Sequence, residues 1–270
     1  MNHSRGFTLA ELAVALVIIG LLLAGALIPL STQIEVRNTA DTQRTMDQIK
    51  EAIIGFAQAN GRLPCPADGT LAAGTAGAGT EQYASSVCTG ASTTAFGVVP
   101  WATLGVPETD AWGRRFSYFV SPIFSDATAL NTVNCTPTPT PVQSSFALCS
   151  LGTLTVNTRD DTHAATAIGS VLPAVIISHG KNGYGALTPA GCSLSPSCST
   201  IALPAAGTDE AANATHANTA TVFYSRTPTS SASGCSDTTS GVPFCEFDDI
   251  ALMISAPTLI ARMVSAGKLP

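Results

Sequence analysis

Apolar positions along this 270-residue chain fall into three regimes. The nineteen positions of residues 12–30, LAVALVIIGLLLAGALIPL, carry no charge. At 1.5 Å rise per residue such a helix is about 28 Å long, the thickness of a bilayer's hydrocarbon core, so the run is expected to span a membrane. Over residues 31–60 the charges Glu35, Arg37, Asp41, Arg44, Asp47, Lys50 and Glu51 bring alternating signs, while Met46, Ile49, Ile53 and Phe56 recur three and four positions apart. That spacing predicts an amphipathic helix continuing the first. Asn60-Gly61 and Pro64 end it, because glycine accepts a left-handed cap and proline cannot extend a helix. Beyond that point the apolar runs are short, β-branched or aromatic, and bounded by Gly, Pro, Asn and Ser. Residues 116–120, 153–157, 171–178 and 221–225 are predicted strands of an antiparallel sheet. Residues 69–79 and 136–145 are low in complexity and read as exposed loops. Ser255, Pro257 and Gly267 bracket a last helix over 257–266. The expected fold class is α+β: a long amino-terminal membrane-spanning and amphipathic helix packed on a small antiparallel β-sheet domain.

One acid interrupts the amino-terminal apolar pattern. Glu11 lies five residues after Gly6 in GFTLAELAVAL. A carboxylate at the edge of the hydrocarbon loses hydration, so it either finds a partner or stays wet at the cytoplasmic headgroup boundary. A secretory signal has a shorter apolar core followed by a small-x-small cleavage site. Here the small residue precedes the run, and cleavage after Gly6 leaves the helix on the mature protein. The leader MNHSRG holds Arg5 and no acid, which keeps it cytoplasmic and sends the chain after Leu30 outward. Gly20 and Ala24, four apart, permit close helix approach, as such pairs do in many apolar helices.

The register of G-F-T-L-A-E-L, the apolar run, Gly20 inside it and Pro29 near its end resembles the class III signal of type IV pilins and type II secretion pseudopilins. The resemblance implies that a prepilin peptidase cuts between Gly6 and Phe7 and methylates the new amine of Phe7. It also implies that Glu11 pairs with the Phe7 amine of a neighbouring subunit in a filament. The partners implied are the peptidase, other pilin or pseudopilin subunits and an inner-membrane assembly platform. Pro29 sits one residue later than the family's usual proline. Farther along, Asp110-Ala-Trp-Gly-Arg-Arg-Phe-Ser-Tyr118 is similar to the pseudopilin segment D-P-W-G-x-x-Y, whose Trp and Gly form the turn into the first strand of the sheet. Ala111 stands where the proline would be. From the residues alone, Trp112 anchors a loop, Gly113 permits a tight turn, Arg114 and Arg115 face solvent, and Trp101 anchors a second loop.

Composition favours an envelope protein over a cytosolic enzyme. Charged residues are 11% of the chain, against about 25% in ordinary soluble domains, and hydrophobic residues are 45%. A net charge of -6 and an isoelectric point near 5.1 argue against a general nucleic-acid-binding surface. All eight cysteines, Cys65, Cys88, Cys135, Cys149, Cys192, Cys198, Cys235 and Cys245, follow the membrane segment. An even number confined to the exported part suggests disulfides formed in an oxidising periplasm. Spacing leaves their connectivity open; pairing each with its neighbour (65 with 88, 135 with 149, 192 with 198, 235 with 245) closes the shortest loops. No C-x2-C pair occurs, and His3, His163, His179 and His216 do not stand beside cysteines at zinc spacing.

Three further patterns invite a chemical reading. S-H-G-K-N-G-Y-G, residues 178–185, lacks the G-x4-G-K-[ST] spacing of a phosphate loop and reads as a turn joining two strands. Within it Ser178 and His179 are adjacent on a strand, face opposite ways, and lack a G-x-S-x-G elbow. The acid pairs Asp160/Asp161, Asp209/Glu210 and Asp248/Asp249 offer oxygens that suit calcium, an ion that the resemblance implies for a carboxyl-terminal loop in some pseudopilins. None has an EF-hand register, and Asp248/Asp249 read as the end of a loop before the apolar run 250–254. No metal or other cofactor is assigned.

The expected organisation is a cytoplasmic leader at 1–6, a transmembrane and assembly helix at 7–30, its amphipathic continuation at 31–61, and a disulfide-containing periplasmic domain at 62–270. Such a chain would cross the bacterial inner membrane once, amino terminus inside. The expected role is non-enzymatic: a minor pseudopilin or minor pilin in a type II secretion or type IV pilus filament. The alternative is a membrane-anchored periplasmic binding domain or enzyme with a pilin-like anchor.

Overall fold

This computed structural model describes residues 8–126, 144–191 and 204–269, and of residues 21–31 the helical backbone without side chains. Helix α1 (Leu9–Asn60) runs unbroken for 52 residues and ends as the cap signal requires, with the Gly61 amide donating to Ala57 O at 2.8 Å. The chain forms two compact units, Met1–Asp41 and Thr42–Pro270, and α1 contributes to both. Among the described residues no helix is long and apolar enough to cross a membrane; the expected span, 12–30, runs into the segment whose side chains are not described.

In the second unit the chain continues through β1 (Tyr83–Ala84), β2 (Val87–Cys88), β3 (Ala95–Val98), α2 (Trp101–Leu104), β4 (Ser117–Val120) and α3 (Pro122–Ser125). There follow β5 (Leu154–Arg159), β6 (Ala165–Leu172), β7 (Ala174–Ser178), α4 (Asp209–Asn213), β8 (Val222–Tyr224), β9 (Ile250–Ile254) and α5 (Ala256–Ser265). The fold class is α+β, as the patterns predict, but the strands make three sheets: a β1–β2 pair, an antiparallel β3-β4-β7-β9 sheet, and a β6-β5-β8 sheet. The expected single strand over 171–178 is divided at Pro173. Proline has no amide to donate, so β6 pairs with β5 and β7 is free to pair with β4 and β9. β8 departs from the expected antiparallel order by running parallel to β5, which it reaches by a long connection through α4.

The four-stranded sheet is covered on both faces. On one, Met46, Ile49, Ile53, Ile54 and Ala57 of α1 meet Tyr118, Val120, Ala174, Ile176 and Ile254, with Leu259 and Met263 of α5 closing the same core. On the other, Phe119, Val175 and Ile177 pack against Leu154, Val156, Leu172 and Phe223 of the three-stranded sheet. Two-sided burial explains why β7 reads AVIIS with no polar alternation. Each fully buried Ile or Met of α1 contributes about 1.5–3 kcal/mol, which makes the helix stripe the main apolar tie between α1 and the sheet. Ser255 caps α5, accepting from the Thr258 amide, with proline in the first turn as expected.

Cys65–Cys88 and Cys235–Cys245 are disulfides, the neighbour pairing suggested by short loops. Cys149 is also disulfide-bonded, whereas Cys135, Cys192 and Cys198 lie outside the described residues, as does residues 136–143 of the expected Thr-Pro loop.

The D-A-W-G segment forms the anticipated turn, with Gly113 at φ +79°, where a side chain would be strained. It leads into β4, which follows β3 in the chain and so is not the first strand of its sheet. Arg115 does not face solvent. Its guanidinium is fully buried, donates to Glu108 Oε1 at 2.7 and 2.9 Å and to the carbonyls of Gly69 and Leu71 at 2.9 and 2.7 Å, and lies 4.5 Å over the Trp101 ring. A planar five-donor fork satisfies several loop carbonyls at once, which is why an arginine is tolerated there.

Candidate functional site

Gly6 and Phe7 lie outside the described residues, and α1 begins just after them. The Thr8 amide and hydroxyl both donate to Glu11 Oε2 at 2.9 Å, while the Glu11 amide donates to Thr8 Oγ1 at 3.3 Å. This is a reciprocal capping box, T-x-x-E, which satisfies amides that every helix start leaves without intrahelical partners. Glu11 therefore has a role inside its own chain that was readable from the Thr8–Glu11 spacing and that the reading of Glu11 as an intersubunit partner missed. Around it Leu12, Val14, Leu16, Val17, Ile18 and Ile19 are all more than half exposed. A helix start so apolar on every side is stable only in lipid or against other apolar surfaces.

In the second unit, Ser178 and His179 diverge as adjacent strand residues must. Ser178 Oγ donates to Asp110 Oδ2 at 2.7 Å. His179 Nε2 lies 2.8 Å from Ser117 Oγ, and its Nδ1 lies 3.5 Å from Asp249 Oδ1. Ser117, His179 and Asp249 have the composition of a hydrolytic triad, yet Ser117 is 1% and His179 0% exposed, so no substrate reaches the hydroxyl. The arrangement instead links β4, β7 and the residue before β9. Asp110 anchors the D-A-W-G turn, accepting from the Trp112 and Arg114 amides at 2.9 and 3.0 Å. Burial raises its pKa above the usual carboxylate value, against the pull of these hydrogen bonds.

Of the three acid pairs, the second is divided between two sites, one of which it shares with the third. Asp160 closes a local turn, its Oδ1 accepting from Thr162 and Ala164. Asp209 pairs with Arg159 and Arg226 at 2.8 and 2.9 Å, and Arg226 also reaches Asp237 at 3.0 Å. Glu210, beside Asp209 on α4, engages a different set: its Oε1 accepts from Asn182 Nδ2 at 2.9 Å and from the Asp248 amide at 3.0 Å. Asp248 and Asp249 thus do more than end a loop. With Glu210 they bring carboxylate oxygens within 4.8 Å of one another, and the donor set of oxygens alone fits a hard cation such as calcium. Sequence spacing gives little sign of this meeting, because Glu210 and Asp248 are 38 positions apart.

Burial, followed by the charge of Asp249, pushes the Glu210 pKa up to about 8; burial likewise pushes Asp248 up to about 6. The native state therefore keeps protons that the unfolded chain releases, and stability falls as pH rises from the unfolded to the folded values. Burial lowers the pKa of His216, so that its opposite effect lies at lower pH. With a chelator present, the melting temperature is expected to fall by a few degrees between pH 7 and about 8.5, the range in which Glu210 ionises. Thermal scans of the Glu210→Gln variant should show that slope flattened; an equal slope in both chains would remove Glu210 as its source.

No curated protein and no solved structure matches the chain. Residues 1–27 match the family described as the prokaryotic N-terminal methylation motif. The amino terminus of this protein is thus a class III prepilin signal of the kind found in pilins and pseudopilins, which implies processing by prepilin peptidase and anchoring in the inner membrane before assembly.

Proposed function

We propose that the chain is a minor subunit of a type II secretion pseudopilus or type IV pilus. The exposed apolar start of α1, carrying Glu11 as its one acid, is the observation that supports this most directly. In this reading the precursor is stored by a single membrane pass through 7–30, with 1–6 cytoplasmic and 62–270 periplasmic. The peptidase cuts between Gly6 and Phe7 and methylates Phe7. The subunit then leaves the bilayer for a filament, where the Phe7 amine and Glu11 of neighbouring subunits neutralise each other. The amphipathic portion at 31–61 joins the assembly helix to a domain whose disulfides suit the oxidising periplasm. The enzymatic alternative draws no support from Ser117 and His179, which are sealed in the core.

Two measurements test the proposal. Mass spectrometry of the protein from cells should find a mature chain beginning at N-methyl-Phe7; a chain retaining Met1 would favour a simple membrane tether. Deletion of the gene, scored separately for exoprotein release and surface pili, assigns the filament: loss of export with pili intact means secretion, and the reverse means a pilus. Loss of neither would sink the filament role.

A further inference from the structure

The carboxyl-terminal loops enclose a cavity of about 200 Å³ whose lining includes Tyr184, Ala205, Glu210, Ser231, Glu246 and the Cys235–Cys245 disulfide. Among the described residues two acids line it and no Lys, Arg or His does. Lys181, beside Asn182, is exposed and not part of the lining, and Arg226, which reaches Cys245 O, is paired with Asp209 and Asp237. Ala205 and Ser231 are exposed, whereas Glu210 is 2% exposed. Both donors that hold Glu210, Asn182 Nδ2 and the Asp248 amide, go to Oε1. Oε2 accepts no hydrogen bond among the described residues, so an almost wholly buried carboxylate keeps one oxygen open at the cavity. Asp248 Oδ1 and Asp249 Oδ1, close to Glu210, are buried and also lack a donor, with His179 Nδ1 3.5 Å from Asp249 Oδ1 but without hydrogen-bond geometry. Buried carboxylate oxygens without donors are costly, so the site is short of positive charge and of N–H groups.

We propose that this cavity is a socket for the side chain of one lysine from another subunit, received ammonium end first. The identity of the partner rests on the filament reading, and the chemistry rests on the cavity alone. Three features select lysine. Small-molecule sites occupy about 300–1,000 Å³, and this cavity is smaller, sized for a single side chain. Tyr184, Ala205 and the disulfide give apolar wall against which a four-carbon stem can lie. Glu210 offers one free oxygen, so it cannot take both arms of a guanidinium, while a compact ammonium donates separately to Glu210 and Glu246. Burial and the charge of Asp249 keep Glu210 largely protonated at neutral pH. The arriving ammonium displaces that proton to water, so binding tightens as pH rises.

The test uses the full chain in detergent with a chelator present. It is titrated with Nα-acetyl-lysine methylamide and with the arginine and norleucine counterparts, and read by the NMR shifts of amides around the cavity. The lysine probe should bind with a Kd of about 1–10 mM, the arginine probe about fivefold more weakly, and the norleucine probe not at all up to about 50 mM. Between pH 7 and about 8.5 the lysine Kd should fall roughly five- to tenfold as Glu210 ionises. Glu210→Gln keeps an acceptor for Asn182 and the Asp248 amide but puts an NH2 group where Oε2 stood. It should melt no lower than the parent, lose about tenfold in lysine affinity at pH 8.5, and lose the pH dependence; a residue serving only the fold would leave the Kd unchanged. No lysine shift up to about 50 mM, equal binding of norleucine, or parental affinity in Glu210→Gln overturns the socket. In cells, a carbodiimide, which joins a carboxylate to an amine within reach, should link Glu210 or Glu246 to a lysine of another pilin-like subunit, identified by mass spectrometry. Probe binding without such a link, in a chain that enters filaments, overturns the partner. A chain absent from filaments that still binds the probe fails the filament reading instead, and with it the subunit as partner.

Discussion

A Glu11→Gln chain is expected to be cut after Gly6 as the parent is and yet to be nearly absent from filaments. Glutamine keeps an oxygen that accepts from the Thr8 amide and hydroxyl, so the capping box that starts α1 survives. What it removes is the charge proposed to face the Phe7 amine of the next subunit. Leaving one member of a buried ion pair without its partner costs about 3–5 kcal/mol, or roughly 150-fold to 5000-fold in incorporation. Glu11→Ala should fail at least as severely, because the cap is lost as well. Thr8→Ala, which weakens the helix start by about 0.5–2 kcal/mol and leaves the charge in place, should be milder. Gly6→Leu fails one step earlier and should remain at precursor length, since the peptidase must accept a small side chain before the scissile bond. Immunoblots of sheared filaments and membranes separate these outcomes. Parental incorporation of Glu11→Gln would leave the residue as a helix cap alone, and normal processing of Gly6→Leu would move the cleavage site.

Arg115→Met should lower the melting temperature by about 10 °C, the largest effect expected of a single side chain in the second unit. The buried guanidinium joins three loops that share no regular ladder: the turn at Glu108, the segment at Gly69 and Leu71, and the Pro189 carbonyl at 3.4 Å. Methionine fills the volume and lies against Trp101, but it leaves the carbonyls of Gly69 and Leu71 without their donor. Glu108, whose side chain is 25% exposed, recovers part of its hydration, so the loss falls near 3 kcal/mol, the lower end of the range for breaking a buried pair. At about 2–4 °C per kcal/mol for a domain of this size, the shift is readily read by calorimetry. Arg115→Lys should fall between, because an ammonium keeps the charge and cannot reach Glu108 and both carbonyls in one plane. A shift below about 2 °C in Arg115→Met would mean that these loops are held by other contacts.

Arg115 also marks where sequence reading loses its grip. A pair of arginines after a Trp-Gly turn looks like a solvated edge, and nothing local distinguishes Arg114 from Arg115. Both side chains meet distant loops: Arg114 is half-buried, its Nη1 donating to the Gly180 and Lys181 carbonyls at 2.7 Å, and Arg115 is fully buried where Leu187 O accepts from its amide at 2.9 Å. The strand over 171–178 failed for a nearer reason, since Pro173 was legible as a breaker inside an otherwise convincing apolar run. Thr8 and Glu11 stand at capping-box spacing, a local signal that is independent of any pairing between subunits.

Features set by neighbours within a turn or two could be read from the sequence alone. These are the continuous α1 with its end at Asn60–Gly61, the buried stripe of Met46, Ile49 and Ile53, the Ser255 cap of α5, and the amino-terminal methylation motif. Each depends on helical period, backbone φ or the order of adjacent residues, all of which are local quantities. Tertiary structure decided which charges are buried, which way β8 runs beside β5, and that Glu210 meets Asp248 and Asp249. Those outcomes depend on which distant segments share a surface, and an acid or arginine has the same local signature whether water or another loop covers it.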